Sequence, residues 1–214
     1  MNKSTTGAER RGVMLVVSSP SGAGKTTLCD RLRKRHDDLV MSVSVTTRKP
    51  RAGETHGEDY YFVSLDEFER MKSNGELLEF ASVFGNHYGT PKGPVEKLLD
   101  EGKDILFDVD WQGASQLSTT CGEELCRVFI LPPSAEILGE RLKGRGTDAP
   151  DIVAQRMAEA ACEISHWSEY DYIIINDDLE TASSELNAIL VAERAQRKRM
   201  VFLNDFVNHI LTAL

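Results

Sequence analysis

Val13-Met14-Leu15-Val16-Val17, followed by Ser18-Ser19-Pro20-Ser21-Gly22-Ala23-Gly24-Lys25-Thr26-Thr27, is the stretch on which the reading of this chain turns. The short aliphatic run predicts a buried parallel strand. Leu28 and Leu32, with charged residues between them, predict an amphipathic helix beginning near Lys25. A glycine-rich loop therefore joins a strand to a helix N-terminus. There, successive backbone N–H groups can wrap a polyphosphate, Lys25 can reach its outer phosphates, and the Thr26 hydroxyl can fill one Mg²⁺ position.

In this setting residues 19–27 read as a P-loop with one departure, because Ser19 stands where the pattern has its first glycine. A residue before proline is pushed into extended conformations, so Ser19 before Pro20 need not supply a positive φ. The alternative is a glycine-rich turn carrying an incidental lysine, which the flanking strand and helix argue against.

Length and composition bound the remainder. With 214 residues, 41% hydrophobic and 28% charged, the chain suits one α/β domain with a sizeable core and smaller inserts. No apolar run reaches the roughly 20 residues that span a bilayer, and the polar start lacks a signal-peptide core, so a cytoplasmic protein without membrane partners is expected. Cys29, Cys121, Cys126 and Cys162 show no metal-ligand spacing and read as reduced packing residues. A net charge of −9 argues against nucleic acid as a partner, and it requires any anionic substrate to be held by a local cluster of arginines.

Residues 40–45 alternate like a half-buried strand and run into residues 46–59, which contain almost nothing apolar. Such a long irregular segment suits a functional loop, bounded by the strand-like Tyr60-Tyr61-Phe62-Val63. Arg48 and Arg51 could capture a phosphate bidentately, with Tyr60 adding a hydroxyl; a solvated basic loop is the alternative on these residues alone. Ser44-Val45-Thr46-Thr47-Arg48-Lys49-Pro50-Arg51-Ala52-Gly53-Glu54, followed by Gly57-Glu58-Asp59-Tyr60-Tyr61-Phe62, resembles the guanosine-monophosphate-binding segment of guanylate kinases. Together with the P-loop, the resemblance extends over nearly the whole chain. It implies that Ser44, Arg48, Arg51, Glu54 and Tyr60 bind the monophosphate, with the two arginines and the tyrosine on the phosphate itself.

Ser64-Leu65-Asp66-Glu67 reads as a capping box opening a helix, and residues 77–84 read as a strand with Glu79 inside an apolar pattern. Alternation alone would let Glu79 face outward. A fixed carboxylate would also suit guanine, which presents N1–H and N2–H₂, and would clash with the N1 acceptor of adenine. The resemblance puts Glu79 and Asp110 at guanine-reading positions, Tyr88 on the phosphate, and Thr90 where a hydroxyl could donate to O6. Asp108 and Asp110 end the predicted strand 105–110, where ligands of open α/β sheets bind. There an acid could orient Mg²⁺ through water or cap the helix that follows; Asp110 is assigned to guanine and partly to the metal shell.

Residues 127–131 predict another buried strand, followed by a helix over residues 134–143 and a second helix from about residue 150. Arg141, Arg145 and Arg156 on this stretch could be merely solvated. The resemblance instead implies lid arginines, which neutralise charge during phosphoryl transfer. Asn176, after the strand 170–175, is implied near the donor's adenine, with a helix-capping turn as the alternative. The helical segment from residue 179 to the end suits packing on the sheet or on another subunit, which leaves a homo-oligomer open.

The expectation is a single α/β domain over residues 1–214 with the P-loop nucleoside monophosphate kinase fold: a parallel sheet flanked by helices, a GMP-binding region at 42–90 and a lid at 134–168. The implied reaction is Mg²⁺-assisted phosphorylation of GMP by ATP, with deoxy-GMP as a second candidate acceptor. Lys25, Arg48, Arg141, Arg145 and Arg156 would be catalytic. Residues 19–27 with Asn176 would bind ATP. A non-catalytic module of the same fold and a kinase acting on AMP are the rivals. The intact Gly24-Lys25-Thr26 and the arginines argue against the first, and Glu79 with Asp110 against the second.

Overall fold

The computed structural model describes residues 10–143 and 150–214. From β1 (Met14–Ser18) the chain passes through α1 (Lys25–Arg35), β2 (Leu39–Met41), β3 (Val45–Thr46), β4 (Tyr61–Phe62), α2 (Leu65–Ser73), β5 (Leu77–Val83) and β6 (Asn86–Pro91). It continues through α3 (Lys92–Asp100), β7 (Asp104–Phe107), α4 (Trp111–Cys121), β8 (Leu125–Leu131), α5 (Ala135–Lys143), α6 (Pro150–Ser165), β9 (Tyr172–Ile175), α7 (Leu179–Arg194) and α8 (Leu203–Ala213). Among the described residues no helix is long and apolar enough to cross a membrane.

The core is a parallel five-stranded sheet in the order β2-β7-β1-β8-β9. Its central strand β1 is buried along its length, as a strand covered on both faces must be. Val13, Leu15 and Val17 pack toward Leu28 and Leu32 of α1 and Leu186 and Leu190 of α7. Met14 and Val16 pack on the opposite side with Leu99 of α3 and Ala114 and Leu117 of α4. Each fully buried leucine contributes about 1.5–3 kcal/mol, so these four helices are held to the sheet mainly by this packing.

A second sheet, in the order β4-β3-β6-β5, carries the insert. The stretch expected as one strand over residues 40–45 is two short strands in different sheets. β2 makes its last tie to the core where Ser42 N–H donates to the Leu106 carbonyl at 2.9 Å, and the chain then crosses to β3. β5 and β6 form an antiparallel hairpin with an irregular register between Leu77 and Glu79. Ser64 caps α2 by accepting from Glu67 N–H at 3.1 Å, but the Glu67 carboxylate pairs with Arg70, so only half of the expected capping box forms.

The hairpin is sewn to the core by Gln116 of α4. Its side-chain oxygen accepts from Phe80 N–H and its amide donates to the Phe80 carbonyl, both at 3.1 Å. Thr120 of α4 adds a hydroxyl bond to the Leu78 carbonyl at 3.1 Å. These three bonds fix β5, and therefore Glu79, against the sheet that bears the P-loop.

Candidate active site

The loop leaving β1 closes on itself where Ala23 N–H donates to the Pro20 carbonyl at 3.1 Å. Ser19 does not need glycine's freedom: Phe84 is the one non-glycine residue with positive φ among those described. Gly24 does need it, since it caps α1 with φ +100° and an added Cβ would stand 2.3 Å from the Asn176 amide nitrogen. Asn176, 5% exposed just beyond β9, donates that amide to the Ala23 carbonyl at 2.7 Å, and Arg141 of α5 donates to the Asn176 carbonyl at 3.2 Å. The following helix is capped by Asp178 and not by Asn176. The Asn176 side chain thus braces the loop from behind. Strain and collision together make Gly24→Ala an expected loss of at least about tenfold in ATP-analogue affinity with GMP affinity little changed, which titration calorimetry would read.

A cleft of about 300 Å³ lies over the loop, lined by Ser19, Pro20, Ser21, Gly22, Gly24, Lys25 and Thr26 together with Asp108 and Glu163. Ala23 is buried behind it and Thr27 is exposed on α1. The Lys25 ammonium pairs with the carboxylate of Asp108, just past the end of β7. Thr26 and Asp108 offer the hard oxygen ligands that Mg²⁺ prefers. Among the described residues no cluster of His, Cys, Asp or Glu could hold a metal by itself. This donor set fits an ion that arrives on phosphates and takes only one or two ligands from protein.

On the second sheet, Arg48 forks onto Glu54, at 2.8 and 3.1 Å, and the same carboxylate accepts from Arg51 N–H at 2.7 Å. Glu54 raises the Arg48 pKa above its ordinary value, and Arg48 holds Glu54 below the usual carboxylate range. Glu54 thereby orders the loop that presents both arginines. The Arg48 guanidinium lies 5.3 Å from the centre of the Tyr60 ring, and Tyr60 meets Tyr88 edge to face at 6.0 Å. The Ser44 carbonyl accepts from Tyr61 N–H at 2.9 Å, holding the start of this loop beside β4.

Glu79 is buried, 6% exposed, and accepts a 2.7 Å bond from the Thr90 hydroxyl. Burial pushes its pKa up, and the Asp110 charge adds to that while Thr90 opposes it. The single Thr90 proton is directed at Glu79, so a bond to guanine O6, as expected from the resemblance, would require the hydroxyl to turn. Asp110 caps α4 through Oδ1, accepting from Gly113 N–H at 2.9 Å. Gly113 lets that helix approach closely: a Cβ there would lie 2.9 Å from Val109 and 3.5 Å from the Glu79 carboxylate. The two acids implied to read guanine are thus neighbours across the β5–α4 junction.

Residues 11–193 match the guanylate kinase family. The chain belongs to the guanylate kinase family. It is 54% identical over 202 residues to the guanylate kinase of Maricaulis maris, covering 94% of this chain and 93% of that one. It is 52% identical over 201 residues to the guanylate kinase of Paramagnetospirillum magneticum, covering 94% of both. The crystal structure of guanylate kinase from Anaplasma phagocytophilum superposes with a TM-score of 0.69 at 41% identity, covering 93% of this chain and 95% of that one. Membership in the guanylate kinase family makes the chain a phosphate-transferring enzyme with the P-loop nucleoside monophosphate kinase fold.

Of the arginines expected on the lid, Arg141 reaches the P-loop brace, Arg156 lies half-buried on α6, and Arg145 is outside the described residues. One acid lining this cleft lies beyond what the sequence signals, and a second takes a partner that the sequence does not single out. Asp108 is the acid that meets Lys25, and Glu163 of α6 enters the P-loop cleft, accepting from Ser21 N–H at 3.2 Å. Asp108 is legible in the chain as a strand-end acid, but nothing local sets it above Asp110. Glu163 has no local signal, since an acid near a helix C-terminus looks solvated.

Proposed function

We propose that the chain transfers the γ-phosphoryl group of ATP to GMP, with the donor on the P-loop and the acceptor between the second sheet and α4. The observation that carries this reading is the buried carboxylate of Glu79, whose hydrogen-bond partner is the neutral Thr90 hydroxyl and which matches the two donors on guanine's edge, within a chain whose Gly24-Lys25-Thr26 loop is intact. The acceptor phosphate is held by Arg48, Arg51, Tyr60 and Tyr88, with Ser44 and Glu54 shaping that loop. Glu79, Asp110 and Thr90 read the base.

Backbone N–H groups of residues 19–27 wrap the donor phosphates, braced by Asn176. Lys25, with Arg141, Arg145 and Arg156, neutralises charge on the moving group. Thr26 and Asp108 would hold Mg²⁺, with Asp110 reaching it through water, and the ion would offset phosphate charge. No protein nucleophile is required, because the acceptor phosphate is already an anion at neutral pH. Residues 42–90 and 134–168 act as the acceptor region and lid of one domain spanning 1–214, and their closing excludes water from the transfer. Deoxy-GMP, which keeps the same base edge, is a second acceptor; the setting is cytoplasmic. The exposed apolar residues of α8, Phe206, Ile210 and Leu211 among them, suit a homo-oligomer.

The test is diphosphate formation from Mg·ATP with GMP, AMP, UMP and CMP offered separately, beside a control without acceptor. Turnover with GMP alone is expected, and Arg48→Ala should raise the GMP KM by about 10²-fold through loss of a bidentate phosphate contact. Turnover with another base would overturn the assignment of Glu79. Phosphopeptide binding without turnover would point to a non-catalytic module.

A further inference from the structure

Ser21 N–H belongs to the loop that cradles donor phosphates, yet its hydrogen-bond partner is a carboxylate from a distant element. Glu163, 142 residues along the chain on α6, accepts from Ser21 N–H at 3.2 Å and lines the same cleft as Lys25 and Thr26. Asp108 is a second acid lining that cleft, and Lys25 is the single cation among the described residues that line it. Burial raises the Glu163 pKa, the Ser21 bond and Lys25 oppose this, and Asp110 and Glu159 add to it. A carboxylate at that position would meet an incoming triphosphate as a like charge. The two anions compete for one N–H.

α6 is mechanically joined to the loop and to α5. Leu138 and Leu142 of α5 pack with Ala160, Met157 and Ile164 of α6, and the same two leucines stand 3.2–3.3 Å from where a Cβ on Gly22 would be. α5 also carries Arg141, whose guanidinium is turned to the Asn176 carbonyl. Three residues beyond Glu163, His166 stacks on Trp111 at 3.7 Å with the rings 11° apart, pinning that end of the helix pair to α4. Glu163 thus sits about one helical turn from that anchored end, where α6 meets the loop.

We propose that Glu163 is a positioning residue whose carboxylate occupies the Ser21 N–H of the P-loop and is exchanged there for a donor phosphate oxygen. Donor binding and release of Glu163 from Ser21 are then a single event. No covalent bond changes: one acceptor oxygen replaces another on Ser21 N–H. This inference rests on the donor lying on the P-loop.

The test is calorimetric titration of the β,γ-imido analogue of ATP with Mg²⁺ into wild type, Glu163→Gln, Glu163→Asp and Lys25→Ala proteins, each checked for a native melting transition. Removing the competing charge in Glu163→Gln is expected to tighten analogue binding by about tenfold. Glu163→Asp, too short to reach Ser21, should also tighten binding, and it serves alone if the glutamine variant does not fold. A side chain that merely supported structure would weaken binding when replaced. Unchanged or weaker affinity in both Glu163 variants, with Lys25→Ala still impaired, would overturn the inference and leave the donor site standing. Wild-type affinity in Lys25→Ala would overturn the donor site and the inference with it.

Discussion

Lys25→Ala is expected to lower kcat by about 10³–10⁴-fold while leaving GMP affinity within about twofold of wild type. The magnitude follows from the chemistry, because phosphoryl transfer needs fixed positive charge where negative charge shifts, and removing one such group from a preorganised site costs on the order of 10²–10⁵ in rate. The lysine is poised rather than buried. It is 24% exposed and paired with Asp108, itself 63% exposed, so the pair contributes at most about 1 kcal/mol to stability. The melting temperature of the variant should accordingly move by only a few degrees. Arginine should not rescue it, since a planar fork cannot occupy the place of a compact ammonium against both Asp108 and a phosphate. Steady-state rates beside GMP titrations would check this, and near-normal kcat would remove Lys25 from the chemistry.

The parts of this architecture that are legible in the chain are those encoded locally. Val13 to Val17 can only be a strand buried on both faces, and Gly24 followed by Lys25 and the Leu28/Leu32 pair can only begin a helix under a turn, so β1, the loop and α1 stand where expected. What the chain conceals is long-range. The split of residues 40–45 between two sheets depends on Ser42 pairing with Leu106, sixty-four positions away, which no local alternation signals. β6 is hidden because Gly89 and Pro91 interrupt its pattern, although Gly89 answers a close approach of β5: a Cβ there would meet the Glu79 carbonyl at 2.9 Å. The site divides in the same way. Arg48 and Arg51 stand out in a segment too polar for core, whereas the bracing role of Asn176 and the reach of Glu163 into the cleft exist only in three dimensions.

Glu79→Gln should lower kcat/KM for GMP by about 10³-fold and narrow the preference for GMP over AMP. Two hydrogen bonds from guanine to a carboxylate are worth about 1.5–3 kcal/mol each, and a buried site built for them rejects a base that cannot supply them. The amide can instead accept from the adenine amino group and donate to its N1, so AMP turnover should rise as GMP turnover falls. The same residue sets a pH dependence. In the folded protein without GMP its pKa is raised, first by burial and then by Asp110, so the neutral form is favoured relative to the unfolded chain. The penalty on the charged form grows as pH rises through the ordinary and then the raised pKa, and it is complete above the raised pKa. Glu79→Gln should therefore be more stable than wild type above the raised pKa, with the gain vanishing below the ordinary carboxylate range. GMP binding runs the opposite way, because the base requires the ionised acid. Wild-type affinity should fall on acidification from above the usual glutamate range. The GMP phosphate also titrates, and comparison with the variant removes that contribution: the wild-type profile minus the Glu79→Gln profile should show one proton taken up per GMP released. Parallel profiles would mean that a group other than Glu79 reads the base.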